Sequence, residues 1–261
     1  MSFYINNIFT TVTSNINNCN GYIEIEPHHN LRPFIKCFWE YKPNSLNQNE
    51  TRVIPDICMD IIFSFEDNSI NVGLCGINNV PFVTDCNNCM FAIRFYAWSI
   101  ILFADNNLKN TLNNFLDVKE YFSDFQTIHN DLIYAENIFE RKKIAENYLY
   151  KKINPDRQNN DVMNSIYYII KNNCKLKVND LSNYCFKSRR QLERDFIENT
   201  GVSPKQMIDL VRYQKLWQDC LKPNFNILNS VDKLGFYDQS HLLNEFKKYH
   251  GISISKALQS K

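Results

Sequence analysis

The spacing of hydrophobic residues changes along the chain from a strand-like to a helix-like pattern. Between residues 21 and 103, short runs either alternate or are continuously apolar, as at 22–26, 60–65 and 91–95. Turn residues separate these runs, which is typical of an all-β barrel or sandwich. We therefore predict a small β-barrel in this part of the chain.

Helical spacing begins near residue 106. Across residues 131–152, Lys and Glu fill much of one face, and a mostly apolar stripe forms the other. This pattern is typical of an amphipathic helix. Its stripe consists of Leu132, Ala135, Phe139, Lys142, Ala145 and Leu149. Pro155 lies in a polar tract that marks a linker, and the chain beyond this tract has helical spacing to its end. The predicted segments are a flexible arm at 1–20, a β-barrel domain with C-terminal dimerisation helices at 21–153, a linker at 154–160 and a helical domain at 161–261.

The helical domain contains an internal repeat. The stretch SRRQLERDFIENTGVSPK begins at residue 188, and DQSHLLNEFKKYHGISIS begins at residue 238. Identical residues recur at a constant offset of fifty in the pairs Leu192/Leu242, Phe196/Phe246, Gly201/Gly251 and Ser203/Ser253. A short apolar-periodic helix and a tight turn precede each copy, which is the arrangement of a helix-turn-helix unit. The second helix of such a unit is the one that enters a DNA major groove.

Local start signals define the helices of this repeat. Ser188, with a glutamine three residues later, forms a capping box before a recognition helix at about 189–198, and Asp238 is the candidate cap of the second recognition helix. Between them, Ser203 and Pro204 begin a longer helix. One stripe of that helix carries Met207, Val211, Gln214 and Leu221. About 18 residues at 1.5 Å each give roughly 27 Å, near the one-turn repeat of B-DNA of about 34 Å.

Charge also distinguishes the two parts of the chain. Residues 1–160 carry 13 Lys and Arg against 18 Asp and Glu, and residues 161–261 carry 16 against 10. The balances of −5 and +6 sum to the net charge of +1. A basic helical part beside an acidic body is typical of a DNA-binding module tethered to a separate domain, although ordinary fluctuation produces such a difference as well.

The polar faces of the two recognition helices carry the candidate DNA-binding residues. A guanidinium group can bind guanine O6 and N7 or a phosphate, Gln and Asn suit adenine, and His can donate to either target. We predict base contacts for Arg189, Arg190, Gln191, Arg194, Gln239, Ser240, His241 and Asn244, and phosphate contacts for Lys187, Lys205, Lys247 and Lys248. The alternatives are a solvated basic face for the arginines and a packing or capping role for His241.

These residues carry a family resemblance. The stretch LGFYDQSHL at 234–242, followed by Phe246-Lys247 and Gly251, resembles the signature of AraC/XylS-type transcription regulators, and residues 188–204 resemble their first helix-turn-helix unit. The resemblance covers about residues 160–258. It implies seven helices, two helix-turn-helix units joined by a long helix, binding to double-stranded promoter DNA and RNA polymerase as a partner. One departure is Phe186, which occupies the position of the usual glycine in the first turn.

The N-terminal part resembles a sensor-like domain attached to some of these regulators. The matching pieces are 38–39, 52–56, 60–63, Gly76 and 93–95. The resemblance implies a cupin-like β-barrel followed by helices, without a known ligand. The overall fold class is therefore predicted as α+β, with the barrel and its helices followed by an all-α domain.

Several charged and aromatic residues of the N-terminal part could line a ligand pocket. They are Trp39, Arg52, Asp56, Asp60, Arg94 and Phe95. Because buried charges must be paired, the alternative is a structural network between the arginines and the aspartates.

Reactive and catalytic features are few. Cys86 and Cys89, with Cys75 upstream, have a spacing that suits a redox pair or half of a metal site, but a polar hairpin that happens to hold two cysteines is the alternative. His28 and His29 would point to opposite faces of a strand, so we predict no metal site. The sequence contains no nucleophile–base constellation and no glycine-rich phosphate loop, so we predict neither an enzyme nor a cofactor.

The remaining expectations concern location and partners. No run of 18 apolar residues and no signal peptide is present, which predicts a cytoplasmic protein that does not enter the membrane. We predict a homodimeric transcription regulator. Its N-terminal domain would bind an unknown small-molecule effector, sense thiols or metal, or serve only for dimerisation.

Overall fold

The computed structural model describes residues 5–13, 21–43, 51–66, 69–84, 87–157 and 160–259. The strands are β1 (Tyr22–Ile25), β2 (Ile35–Tyr41), β3 (Thr51–Val53), β4 (Cys58–Glu66), β5 (Ser69–Cys75), β6 (Phe82–Thr84), β7 (Cys89–Tyr96) and β8 (Phe115–Asp117). The helices are α1 (Gln126–Tyr134), α2 (Ile138–Lys152), α3 (Asp161–Lys171), α4 (Val178–Tyr184), α5 (Arg189–Thr200), α6 (Pro204–Cys220), α7 (Ile227–Leu234), α8 (Gln239–His250) and α9 (Ile254–Gln259). None of these helices combines the length and the apolar character that a bilayer span requires.

The strands form one antiparallel sheet of six strands, in the order β1-β2-β7-β4-β5-β8, and a separate pair, β3 with β6. Because β1 and β8 each pair on one side only within the described residues, the sheet is open and the predicted barrel is not closed. The α+β fold class is confirmed.

The two faces of the six-stranded sheet have different surroundings. Phe38, Phe63 and Phe91 point into the main hydrophobic core, while Trp39 and Ala92 belong to a small cluster on the opposite face. This division follows from the alternation of side chains along each strand. The second face is the one that lines a cavity, described below.

The single helix predicted over residues 131–152 is two helices, α1 and α2. The Asn137 side chain accepts hydrogen bonds from the backbone N–H groups of Phe139 and Glu140 and so begins α2 anew. This restart changes the helical phase. Ile138 is buried as a result, and Phe139, which the predicted stripe placed on the inner face, is 68% exposed.

The beginning of the predicted linker is attached to the N-terminal domain. The Asn154 N–H donates to the Leu102 carbonyl at 2.8 Å. Arg157 Nη1 donates to the carbonyls of Ile101 and Ala104, both at 2.9 Å. Residues 158–159 lie outside the described residues.

Seven α-helices follow residue 160 in the described part of the chain, which is the number that the family resemblance implies. The repeat forms the core of both units, since Leu192, Phe196, Leu242 and Phe246 are fully buried. Helix α6 begins with the predicted capping box of Ser203 and has 17 residues, roughly 26 Å at 1.5 Å per residue.

Part of the predicted flexible arm is packed against the rest of the molecule. Ile5 and Phe9 are buried because the segment contributes apolar side chains to the main core. The backbone of Val12 forms two hydrogen bonds with the Gln214 side chain on α6, at 2.8 and 3.0 Å. Residues 1–4 and 14–20 of the arm lie outside the described residues.

Candidate nucleic-acid interface and ligand cavity

The first recognition helix, α5, exposes its arginines at its N-terminal end. Ser188 caps the helix and accepts a hydrogen bond from the Gln191 N–H at 3.2 Å. Arg189, Arg190 and Arg194 are exposed. The Gln191 side chain donates to Asp195 at 2.6 Å and accepts from Arg194 at 2.9 Å. Gln191 therefore orients Arg194, and the second hydrogen bond of the predicted capping box is not formed.

The second recognition helix, α8, exposes Gln239, Ser240, His241 and Asn244. Asp238 is its cap and accepts from the His241 N–H at 2.7 Å. His241 Nδ1 accepts from the Tyr237 N–H at 3.3 Å, and Nε2 lies 3.3 Å from the Glu245 carboxylate. These are the local contacts that a packing or capping role of His241 predicts, and the imidazole is nevertheless exposed.

The predicted phosphate-binding lysines differ in their surroundings. Lys205, Lys247 and Lys248 are exposed, and Lys205 pairs with Asp209 on its own helix. Lys187 is partly buried and lies 2.6 Å from the carboxylates of both Asp161 and Asp195. Hydrogen bonds to these two carboxylates raise the pKa of Lys187. Its charge therefore joins α3 to α5 within the protein.

Sequence reasoning missed a buried ion pair that fixes α8 against α6. Arg212 Nε donates to Glu245 Oε1 at 3.0 Å, and Nη2 donates to Oε2 at 3.1 Å. The same guanidinium group bonds Asp209 at 2.6 Å and covers the ring of Phe236. Because Glu245 also contacts His241, this network holds a predicted DNA-binding side chain in relation to the long helix.

The turns before the two recognition helices place equivalent residues in the left-handed backbone region. Phe186 has φ of 53°, and Gly235, its counterpart in the second unit, has φ of 72°. The Phe186 side chain is 96% exposed, and Tyr237 in the second turn is 90% exposed. Each recognition helix thus follows a turn that carries an exposed aromatic ring.

The N-terminal domain contacts the C-terminal ends of both recognition helices. A Cβ atom at Gly201 would lie 2.3 Å from Thr111 Oγ1, and one at Gly251 would lie 2.7 Å from Arg52 Nη1. Burial, followed by the charge of Arg52, lowers the pKa of His250 to about 4. The opposite ends of α5 and α8, which carry the predicted DNA-binding residues, remain exposed.

A cavity of about 560 Å³ lies against the second face of the six-stranded sheet. Five of the six predicted pocket residues line it, namely Trp39, Arg52, Asp56, Asp60 and Arg94. Phe95 does not, because it neighbours Arg94 on β7 and therefore points to the opposite face, where it packs 5.4 Å from Phe103. The prediction missed the aromatic lining of Tyr22, Tyr41, Phe82 and Phe115.

The charged groups of the cavity form a network around Arg94. Its Nε donates to Asp60 Oδ1 at 2.9 Å and its Nη2 to Asp60 Oδ2 at 3.1 Å. Trp39 Nε1 donates to the same carboxylate at 3.2 Å. Burial raises the pKa of Asp56, whose Oδ2 lies 3.6 Å from Arg94 Nη1.

The structure places the candidate thiol and metal ligands as follows. Cys86 lies outside the described residues, and Cys89 is exposed. Burial raises the pKa of Cys75 to about 12, so this thiol stays protonated near neutral pH. His28 and His29 lie in the turn after β1, not on a strand, with ring centroids 4.1 Å apart. Among the residues that the structure describes, no three potential ligands form a metal-binding group.

Two family models match separate parts of the chain. Residues 23–117 match a domain of unknown function (DUF6597), and residues 181–260 match a helix-turn-helix domain. None of the curated proteins compared with the chain matches it.

Several solved structures are similar to the chain. The C-terminal domain of AraT, a response regulator from Geobacillus stearothermophilus, is 20% identical over 40% of this chain and 87% of that one, with a TM-score of 0.38. ToxT from Vibrio cholerae is 14% identical over 82% of this chain and 95% of its own, with a TM-score of 0.43. A DNA-binding transcriptional dual regulator from Escherichia coli K-12 is 17% identical over 40% of this chain and 99% of its own, with a TM-score of 0.36.

Proposed function

We propose that this chain is an AraC-type transcription regulator, which binds promoter DNA with α5 and α8 in successive major grooves. Its match to a helix-turn-helix domain over residues 181–260 supports the DNA-binding role. The observation that carries this proposal is the exposure of polar side chains at equivalent ends of the two repeated helices. Helix α6 joins the units over roughly 26 Å, which suits a DNA repeat of about 34 Å.

The exposed side chains divide into two groups by their chemistry. The arginines of α5 suit guanine, and Gln239 and Asn244 on α8 suit adenine, while Ser240 and His241 supply further hydrogen bonds to bases. Gln191 is only partly exposed and contributes through the orientation of Arg194. Lys205, Lys247 and Lys248 neutralise phosphates and set affinity without selecting a sequence. Lys187 is the least suited to this role, since two carboxylates already pair with it.

Base recognition by α5 can be tested with Arg194→Ala. We expect a loss of about 1–3 kcal/mol on a DNA site that the wild-type protein has selected from a random pool and little loss on random DNA, because a base contact distinguishes the two sequences. Lys248→Ala is expected to weaken both sites equally and to lower the salt slope by about one. A gel-shift salt series measures both effects.

The control for this experiment is Arg32→Ala, which removes an exposed arginine that pairs with Glu26 in the N-terminal domain. It should leave both affinities unchanged. An equal loss on the selected and the random DNA with Arg194→Ala would contradict base recognition by that side chain.

The proposed role in transcription also involves protein partners. We infer a cytoplasmic homodimer that acts with RNA polymerase at the promoter. The surface that supports self-association carries Tyr134 on α1 and Phe139 on α2, which are 83% and 68% exposed.

We also infer that the N-terminal domain binds a small molecule and thereby controls DNA binding. The cavity supports this role, because its volume lies in the range of small-molecule sites and its apolar lining surrounds a few polar groups. Dimerisation alone would not require such a cavity.

A further inference from the structure

The cavity contains a buried hydrogen-bond donor that has no acceptor. Arg94 uses Nε and Nη2 for Asp60, but Nη1 is buried without a hydrogen-bond partner. Asp56 Oδ2, 3.6 Å away, is too distant to accept a hydrogen bond from it. An unsatisfied buried donor costs about 1–3 kcal/mol, so a molecule that supplies an acceptor at this point is stabilised there.

The distance between Arg94 Nη1 and Asp56 Oδ2 selects the chemistry of that acceptor. One oxygen atom can lie about 2.8 Å from both atoms, because they are 3.6 Å apart. At that point it accepts a hydrogen bond from Arg94 and must donate one to the Asp56 carboxylate. A hydroxyl group does both, whereas a carboxylate only accepts and an ammonium group only donates.

The charge of the cluster also disfavours an anionic ligand. Arg94 supplies one positive charge, and Asp56 and Asp60 are two carboxylic groups within reach of it. A ligand carboxylate at the same point would face Asp56 directly. Arg52 lines the cavity too, but its guanidinium group lies close to Gly251 of the helical domain.

The mouth of the cavity indicates the rest of the ligand. Val80, Phe82 and Phe115 line it and are 49%, 38% and 57% exposed. Tyr22, Trp39 and Tyr41 line the cavity as well. An apolar body that covers these side chains gains from their removal from water.

We propose that the cavity binds an uncharged, largely apolar alcohol whose hydroxyl group lies between Arg94 and Asp56. This inference deepens the sensor role proposed above and rests on it for its effect on DNA, but not for the binding itself. A carboxylic acid or an amine with the same apolar body is the wrong chemistry for this position.

Isothermal titration of the chain of 261 residues with three probes of one skeleton tests the proposal. The probes are 4-phenylbutan-1-ol, 4-phenylbutanoate and 4-phenylbutan-1-amine. We expect saturable binding of the alcohol and at least about tenfold weaker binding of the other two, a difference of about 1.4 kcal/mol. The proposal is overturned if the alcohol does not bind saturably, or if the carboxylate or the amine binds as tightly.

Asp56→Asn provides a second test in the same chain. Removing this negative charge should strengthen binding of 4-phenylbutanoate about tenfold and bring it near the alcohol, since Arg94 Nη1 then faces a neutral amide. Asp131→Asn, an exposed substitution outside the cavity, is the matched control and should change neither affinity. If folded Asp56→Asn still prefers 4-phenylbutan-1-ol over 4-phenylbutanoate by the same factor, Asp56 does not select the hydroxyl group.

Gel shifts of the same samples separate this proposal from the proposed function. DNA binding without any ligand tests the helix-turn-helix domain alone. If the alcohol binds but the DNA affinity stays unchanged, the ligand site is supported and the sensor role is contradicted.

Discussion

Phe186 adopts a backbone conformation that a side chain disfavours. Its φ of 53° lies in the left-handed region, where residues other than glycine pay about 1–2 kcal/mol. Its counterpart Gly235 has the same kind of conformation without that cost. Because the Phe186 ring is 96% exposed, packing within the protein does not offset the strain.

We therefore expect Phe186→Gly to raise the free energy of unfolding by up to about 1 kcal/mol, the relief of strain less the greater entropy of glycine in the unfolded chain. Chemical denaturation measures it. Tyr237→Gly is the matched control, since Tyr237 is an exposed aromatic residue without a positive φ, and it should bring no gain. A loss of stability with Phe186→Gly would mean that the ring packs against something in solution.

At the same scale, the sequence predicted the composition of the cavity better than its geometry. The need of buried charges for partners was sufficient to group Asp60 with Arg94, and both interpretations of these residues, pocket and ion pair, describe the same cluster. Phe95 was placed wrongly because it was grouped with its neighbour Arg94, against the alternation of a strand. Whether Arg94 Nη1 has a hydrogen-bond acceptor depends on distances of tenths of an ångström, which cannot be predicted from a pattern of residues.

At the scale of elements, the helices of the repeat were predictable and α1 and α2 were not. The repeat offered capping residues and a second copy with which to compare each boundary. In the other segment, Asn137 interrupts a continuous helical pattern, and its capping role outweighs that pattern. The restart leaves Phe139 on the surface, and Tyr134, the last residue of α1, is exposed as well.

This exposed pair gives a test of the predicted homodimer. We expect Phe139→Glu to shift the protein from dimer to monomer, because a charge replaces an apolar side chain in the shared surface. Sedimentation equilibrium measures the change. Leu228→Glu on α7, at a residue that is 64% exposed in the helical domain, should leave the dimer intact. A dimer that persists in Phe139→Glu at the same concentration would place the contact elsewhere.

At the scale of the molecule, the two domains and their order were predictable, but their contact was not. Composition and charge divide the chain near residue 160, and nothing local indicates that Gly201 and Gly251 would meet Thr111 and Arg52. One trace of the contact was present in the sequence. Gln214 stands on the apolar stripe of α6, where a polar side chain must find buried partners.

Those partners belong to the arm and to the N-terminal domain. Gln214 accepts from the Val12 N–H at 2.8 Å and donates to the carbonyls of Val12 and Pro55 at 3.0 and 2.6 Å. Pro55 directly precedes Asp56 of the cavity, so this amide connects the long helix of the DNA-binding domain to the cavity wall. The contact is therefore a route by which a ligand could affect the orientation of α6.

We expect Gln214→Leu to lower the free energy of unfolding by about 3 kcal/mol, because buried backbone groups of Val12 and Pro55 lose their partners while the apolar stripe of α6 stays intact. Since the loss falls on the domain contact, calorimetry should show two separate thermal transitions in the variant and one in the wild type. Gln126→Leu, at an exposed position on α1, is the control. A single transition with unchanged stability in Gln214→Leu would show that the two domains are not coupled through this side chain.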